Sequence, residues 1–190
     1  MQLSLFGEES LRHEDSLLVD SLTPQYGIGD CYPKSCLGHS RWLEHLAETN
    51  HENYFETYFS VQYVQGWYLR RWRLDGSVDG FAHGFLLNKS AEADGEPCIV
   101  DPLHHRYGFG RAKRVESDGS ISSPSGGYEA FWLPVQRITF QQVDTIFEAD
   151  EAGRIEGAWP LTTKSDSDRS LEDRLSYRIR LDAAIKQLAA

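Results

Sequence analysis

Cys31 and Cys36 lie in the stretch QYGIGDCYPKSC, residues 25–36, of a chain that contains only three cysteines. Glycines precede the first thiol, and Pro33 is typical of the first turn of a helix, so a helix is predicted to begin beside Cys31. The unsatisfied N–H groups and the dipole of a helix N-terminus favour an anion. A cysteine in that position is easily activated as a nucleophile.

A cysteine nucleophile also needs an imidazole that accepts its proton and a third group that orients the imidazole. His83 lies in the predicted strand FAHGFLL, between Ala82 and Gly84, which leave room for a substrate beside the ring. Asp101 ends the next predicted strand, in CIVDP. Antiparallel pairing of these two strands would bring the Asp101 carboxylate beside His83.

This order, a cysteine at a helix N-terminus followed by a histidine and an aspartate on successive strands, resembles the papain-like cysteine peptidase superfamily, including its transglutaminase-like and cell-wall amidase branches. YVQGWY ahead of AHGFL and VDP is similar to small bacterial and phage members. The resemblance covers about residues 25–105. It implies that Cys31 is the nucleophile, His83 the general base and Asp101 the orienting group. It further implies that Gln25, six residues before the thiol, contributes an oxyanion-hole amide.

The same resemblance implies an α+β, papain-like fold, in which the helix that carries the nucleophile packs on an antiparallel sheet. The implied function is thiol-dependent acyl transfer, most simply hydrolysis of a peptide or side-chain amide through a thioester on Cys31. The substrate would be a peptide or protein, and no cofactor is implied. Deamidation and transglutamination use the same three residues, so the sequence leaves these reactions open.

A metal site is the competing chemistry. Cys36, His39, His104 and His105 are suitable ligand types, but no second C-x-x-C or H-x-x-x-H completes a zinc pattern, so no metal is expected. Free cysteines are more often packing residues than nucleophiles. We therefore interpret Cys36, and also Cys98, as packing residues.

The segment QLSLF, residues 2–6, matches the short motif by which many bacterial replication and repair proteins dock on the β sliding clamp. The resemblance implies that Leu3, Leu5 and Phe6 enter an apolar groove. Gln2 would then form a hydrogen bond at the edge of that groove. A chain terminus that is free to extend suits such docking. The alternative function is a non-enzymatic adaptor or inhibitor that binds the clamp, and the alternative structure is an ordinary edge strand.

The composition is that of a globular protein, with 40% hydrophobic, 12% aromatic and 25% charged residues among 190. A net charge of −10 argues against direct binding to nucleic acid, which needs a surplus of Lys and Arg. No stretch approaches the roughly 20 apolar residues that span a bilayer, and no secretory signal pattern is present. With three cysteines that lack disulfide-framework spacing, these features favour a cytoplasmic protein without a membrane partner.

Three segments are predicted along the chain. Residues 1–24 form an N-terminal arm, residues 25–165 an α+β domain, and residues 166–190 an amphipathic helix packed on that domain. Within the domain we expect a helix over 33–50, strands over 54–74, 81–88, 98–102 and 131–140, an exposed loop or hairpin over 115–129, and a short helix over 141–153.

Overall fold

The computed structural model describes residues 5–27, 31–89, 97–104, 114–115, 121–122, 127–138 and 171–189. The helices are α1 (His13–Leu22), α2 (Cys31–Thr49), α3 (His51–Ser60) and α4 (Leu171–Ala189), and Glu8–Ser10 form a short 3-10 helix. The strands are β1 (Phe6–Gly7), β2 (Val61–Trp72), β3 (Val78–Asn88), β4 (Cys98–Val100), β5 (Arg114–Val115), β6 (Ile121–Ser122) and β7 (Tyr128–Ile138). Helices pack on an antiparallel sheet, which makes the described part of the chain an α+β structure.

The main sheet has the strand order β1-β7-β2-β3-β4, and its pairs are antiparallel. The long strand β2 is rich in aromatic and β-branched residues, which favour a pleated, half-buried surface. Gly66 of β2 lies opposite His83 of β3, and the register between β2 and β7 shifts at this same glycine. The strands predicted from Val61, over 81–88 and over 131–138 are confirmed.

The start of the predicted strand over 54–74 is wrong, because residues 54–60 belong to α3. Asn50 caps this helix, accepting a hydrogen bond at its side chain from the N–H of Asn53. Phe55 and Phe59 are 63% and 79% exposed, so these aromatic side chains do not pack against the sheet. The cap at Asn50 allows a helix to form where aromatic content alone predicts a strand.

Among the described residues of the predicted N-terminal arm, several pack on the rest of the protein. Phe6 lies opposite Trp132 of β7 and is only 9% exposed, and Leu5 packs partly buried against the same core. Leu11 forms a bridge with Ile99 of β4. Residues 2–4 of the QLSLF segment lie outside the described residues. The free terminus expected for clamp docking is therefore not found at Phe6, which forms part of an edge strand.

The C-terminal helix α4 is confirmed and packs on β2 and β3. Its buried face carries Leu181, Ala184 and Leu188. Leu175 and Ile179 of the same helix are exposed, so not all of its apolar side chains contact the domain. β5 and β6 pair antiparallel in the region where an exposed loop or hairpin was expected over 115–129. The short helix expected over 141–153 lies outside the described residues.

Candidate active site

Three neighbouring elements carry the residues predicted to form the site. Cys31 is the first residue of α2, His83 is near the middle of β3, and Asp101 directly follows β4. β4 pairs only with residues 86–88, so among the described residues no strand covers the outer edge of β3 from 78 to 85. The N-terminus of α2 lies at this edge, where Ser35 donates a hydrogen bond of 2.7 Å from its Oγ to the carbonyl of Gly84.

Gly84 makes this close approach possible. A Cβ atom at this position would lie 3.0 Å from Cδ1 of Tyr32 and 3.1 Å from the carbonyl oxygen of Cys31, closer than side chains normally pack. The absence of a side chain therefore lets the first turn of α2 lie against β3, one residue from His83.

The imidazole of His83 and the carboxylate of Asp101 form a direct pair. His83 Nε2 lies 2.8 Å from Asp101 Oδ2, and both side chains are fully buried. The same oxygen accepts a bond of 2.9 Å from Nε1 of Trp132, and Oδ1 accepts one of 3.0 Å from the N–H of Leu103. Because three donors hold the carboxylate, its orientation and that of the ring are both defined.

Charge decides the protonation of this pair. Burial alone would lower the pKa of His83, but the charge of Asp101, its hydrogen bond and the hydrogen bond with the Cys31 thiol raise that pKa to about 10. Burial would likewise raise the pKa of Asp101, yet the imidazolium charge and the bonds from its donors lower it. The pair is thus an imidazolium and a carboxylate at neutral pH. Since Nε2 is bonded to Asp101, Nδ1 is the ring nitrogen left for the thiol.

Helix α1 holds the main chain at Asp101 by hydrogen bonds. The backbone N–H of Asp101 donates to Oγ of Ser16 at 3.0 Å, and that hydroxyl donates to the carbonyl of Arg12 at 2.6 Å. The N–H of Arg12 donates to the carbonyl of Ile99 at 2.8 Å. Sequence reasoning missed Ser16 and Trp132. Trp132 had a detectable signal as an aromatic residue in a predicted strand, whereas nothing in the pattern around Ser16 indicated its role.

Aromatic rings surround the imidazole. The ring centroids of Tyr68, Phe81 and Phe85 lie 5.7, 5.9 and 6.0 Å from that of His83. Phe81 and Phe85 share the face of His83, as strand alternation predicts. This shell keeps water from the pair, which strengthens the attraction between its charges.

The Gln25 side chain does not lie beside the Cys31 thiol. Its side chain is exposed and lines a groove with Arg41, Glu44 and Glu48, which lie in the second half of α2, away from Cys31. We therefore correct the expected oxyanion role of Gln25, which came from its offset along the chain. The N–H groups at the start of α2 are the donors that remain beside the thiol.

The buried amine of Lys34 explains where Gln25 lies. Its Nζ forms an ion pair of 2.6 Å with Asp20 and donates to the carbonyls of Thr23 at 2.7 Å and Tyr26 at 3.2 Å. These bonds hold the turn over residues 23–26 around the amine. The main-chain carbonyls of the turn are directed inward, and the Gln25 side chain lies outside.

The candidate metal ligands that the structure describes lie in different surroundings. Cys36 and Cys98 are buried, in agreement with their interpretation as packing residues, and His39 is buried in α2, where burial lowers its pKa to about 4. Within the described residues no three His, Cys, Asp or Glu side chains are grouped so that they could hold a metal ion. His105 lies outside these residues.

No protein-family model, curated protein or solved structure matches this chain. Among the helices of the described ranges, none is both long and apolar enough to span a membrane. Any functional assignment therefore depends on the geometry and chemistry of the site itself.

Proposed function

We propose that this protein is a papain-like, thiol-dependent acyl transferase or hydrolase that acts on a peptide or side-chain amide through a thioester on Cys31. One observation carries the proposal: the buried His83 ring is bonded to Asp101 at 2.8 Å, on a strand against which the first turn of α2, beginning at Cys31, packs through Gly84. A histidine that only filled the core would need neither a buried carboxylate partner nor a cysteine at the start of the neighbouring helix.

The proposed reaction uses each group in turn. The thiolate of Cys31 attacks the amide carbon, forming a C–S bond and a tetrahedral oxyanion that the N–H groups at the start of α2 stabilise. The His83 imidazolium gives its proton to the amide nitrogen, and the C–N bond breaks to release an amine. Water or an acceptor amine then attacks the thioester while the imidazole accepts its proton. Collapse of the second tetrahedral intermediate breaks the C–S bond and restores the thiolate.

The reactivity of the thiols tests the proposal. At about pH 6, iodoacetamide should alkylate Cys31 far faster than Cys36 or Cys98, as measured by peptide mass spectrometry over time. The three thiols are buried to different extents, and burial by itself affects the rate of alkylation. The comparison therefore needs a variant that lacks only the proposed general base, His83. His83→Ala should remove the advantage of Cys31. Equal alkylation of the three thiols in the parent protein, or an advantage that survives in a folded His83→Ala protein, would contradict the proposal.

A library of end-capped peptides would identify the reaction. Hydrolysis should cut a peptide bond, deamidation of a glutamine should raise the mass by about 1 Da, and transfer should join an added amine to the peptide. Cys31→Ser is the matched control, because it retains the size of the side chain but lacks the thiolate on which the reaction depends.

A further inference from the structure

A cavity of about 600 Å³ lies between α1, α2 and α3, and we call it the α1–α3 cavity. Its lining includes residues 11–15 at the start of α1, Trp42 and Leu46 of α2, and Glu56 and Thr57 of α3. Volumes of about 300–1,000 Å³ are typical of sites that enclose small molecules. Trp42 lies about three turns after the start of α2, about 16 Å along its axis, so the cavity is separate from the candidate thiol.

Acidic side chains dominate the charge of this cavity. Glu14 and Asp15 at the start of α1 and Glu56 on α3 contribute three carboxylates, whereas Arg12 contributes one guanidinium and His13 one exposed imidazole. Burial raises the pKa of Asp15, although the neighbouring charge of Arg12 acts in the opposite direction. The attraction of Arg12 is therefore smaller than the effect of burial. A bound cation would stabilise these carboxylates.

The hydroxyl of Thr57 is a second polar feature of the α1–α3 cavity, independent of the acidic side chains. Thr57 lines the cavity and is only 6% exposed, and its Oγ1 forms no hydrogen bond with any residue that the structure describes. A buried hydroxyl without a partner costs free energy relative to its state in water. A ligand that donates an N–H to this oxygen would remove that cost.

The arrangement of apolar and acidic side chains indicates the shape of the ligand. Leu11, Trp42 and Leu46 provide a buried apolar surface on which a carbon chain can pack. Within the described ranges, no three His, Cys, Asp or Glu side chains are grouped to hold a metal ion, so the carboxylates of α1 and α3 do not converge on one point. A linear ligand with a positive charge at each end fits this distribution better than a single ion.

We infer that the α1–α3 cavity binds a linear aliphatic diamine. Its two ammonium groups pair with the carboxylates of α1 and α3, one of them donates to the hydroxyl of Thr57, and the carbon chain packs on Trp42 and Leu46. Aliphatic amines are protonated at neutral pH, as the ordinary lysine pKa of about 10.4 shows. The inference does not rest on the proposed function, because Cys31 and His83 lie outside the lining of this cavity.

Titration calorimetry with three ligands of equal chain length tests the chemistry of the site. The probe is 1,5-diaminopentane, with 1-aminopentane and uncharged 1,5-pentanediol as controls. The diamine should bind at least about tenfold more tightly than the diol, and the monoamine should have an intermediate affinity, because each ammonium group adds a charge-assisted contact. Absence of diamine binding, or equal affinities for the diamine and the diol, would overturn the inference.

Variants of the parent protein test where the diamine binds. Glu56→Gln removes one carboxylate of the cavity, and Thr57→Val removes the hydroxyl while retaining the shape of the side chain. Each should lower the affinity at least about threefold. Glu48→Gln is the matched control, because Glu48 is an exposed helical residue outside this cavity, and it should change the affinity by less than about twofold. Equal losses in Glu56→Gln and Glu48→Gln would show general attraction to a chain of net charge −10 and would refute a site in the cavity.

Discussion

Replacing Asp101 by asparagine removes the buried charge of the site while retaining the shape of the side chain. The carboxylate accepts bonds from His83, Trp132 and Leu103 through its two oxygens. Asparagine has only one oxygen, so its NH₂ group must face either the ring donors or the N–H of Leu103. The variant therefore loses a hydrogen bond and leaves a buried donor unsatisfied. It also removes the negative charge that pairs with the His83 imidazolium. We expect a loss of about 3–5 kcal/mol in the free energy of unfolding at neutral pH.

The loss should depend on pH in a defined direction. The pKa of His83 is raised from 6.5 to about 10, so its contribution to stability is fully present below pH 6.5 and disappears as the pH rises through about 10. The pKa of Asp101 is lowered from 3.8, so its contribution is present above pH 3.8 and disappears as the pH falls through the lowered value. The difference between the parent protein and Asp101→Asn should therefore be largest between about pH 4 and 6.5 and should shrink towards pH 10.

Urea unfolding followed by tryptophan fluorescence across this pH range would measure the effect. Asp79→Asn is the matched control, because Asp79 also accepts from a tryptophan, Trp72 at 3.0 Å, and from a cation, Arg70, but is partly exposed. We expect it to cost about 1 kcal/mol. An equal cost for both variants, or a pH-independent cost for Asp101→Asn, would refute the assignment of a buried ion pair.

Two further predictions concern how the site and the terminus are held. Gly84→Ala should force the start of α2 to move by a few tenths of an ångström and lower the alkylation rate of Cys31 at least about tenfold. Gly27→Ala is the control and should leave the rate unchanged, because a Cβ atom at residue 27 meets open space. An unchanged rate in Gly84→Ala would show that this contact does not position the thiol. Phe6→Ala should cost about 3 kcal/mol in thermal denaturation, because Phe6 is a buried edge-strand residue. An unchanged melting temperature, with co-elution of only the parent protein with a β sliding clamp, would instead support the docking motif.

Local sequence rules were sufficient to predict the elements that carry the three candidate site residues. A proline in the first turn indicated where α2 begins, and alternation predicted the strands around His83 and before Asp101. Antiparallel pairing of consecutive strands then placed the imidazole and the carboxylate together, as found at 2.8 Å. Each of these steps depends on residues that are neighbours in the chain or in adjacent strands, where geometry leaves few alternatives.

Tertiary contacts decided the rest. The position of Gln25, six residues before Cys31, suggested an oxyanion role. The amine of Lys34, however, binds the carbonyls of the turn over residues 23–26, and the Gln25 side chain is exposed to solvent. Ser16, predicted to be part of an arm, supports Asp101 from α1, and Trp132 reaches the same carboxylate from β7. These residues are separated from Asp101 by 85 and 31 positions, and no local pattern encodes such a contact. A hydrogen bond between distant residues forms only after packing has placed both groups, so the sequence determined the candidate triad, and packing determined the groups that hold it in place.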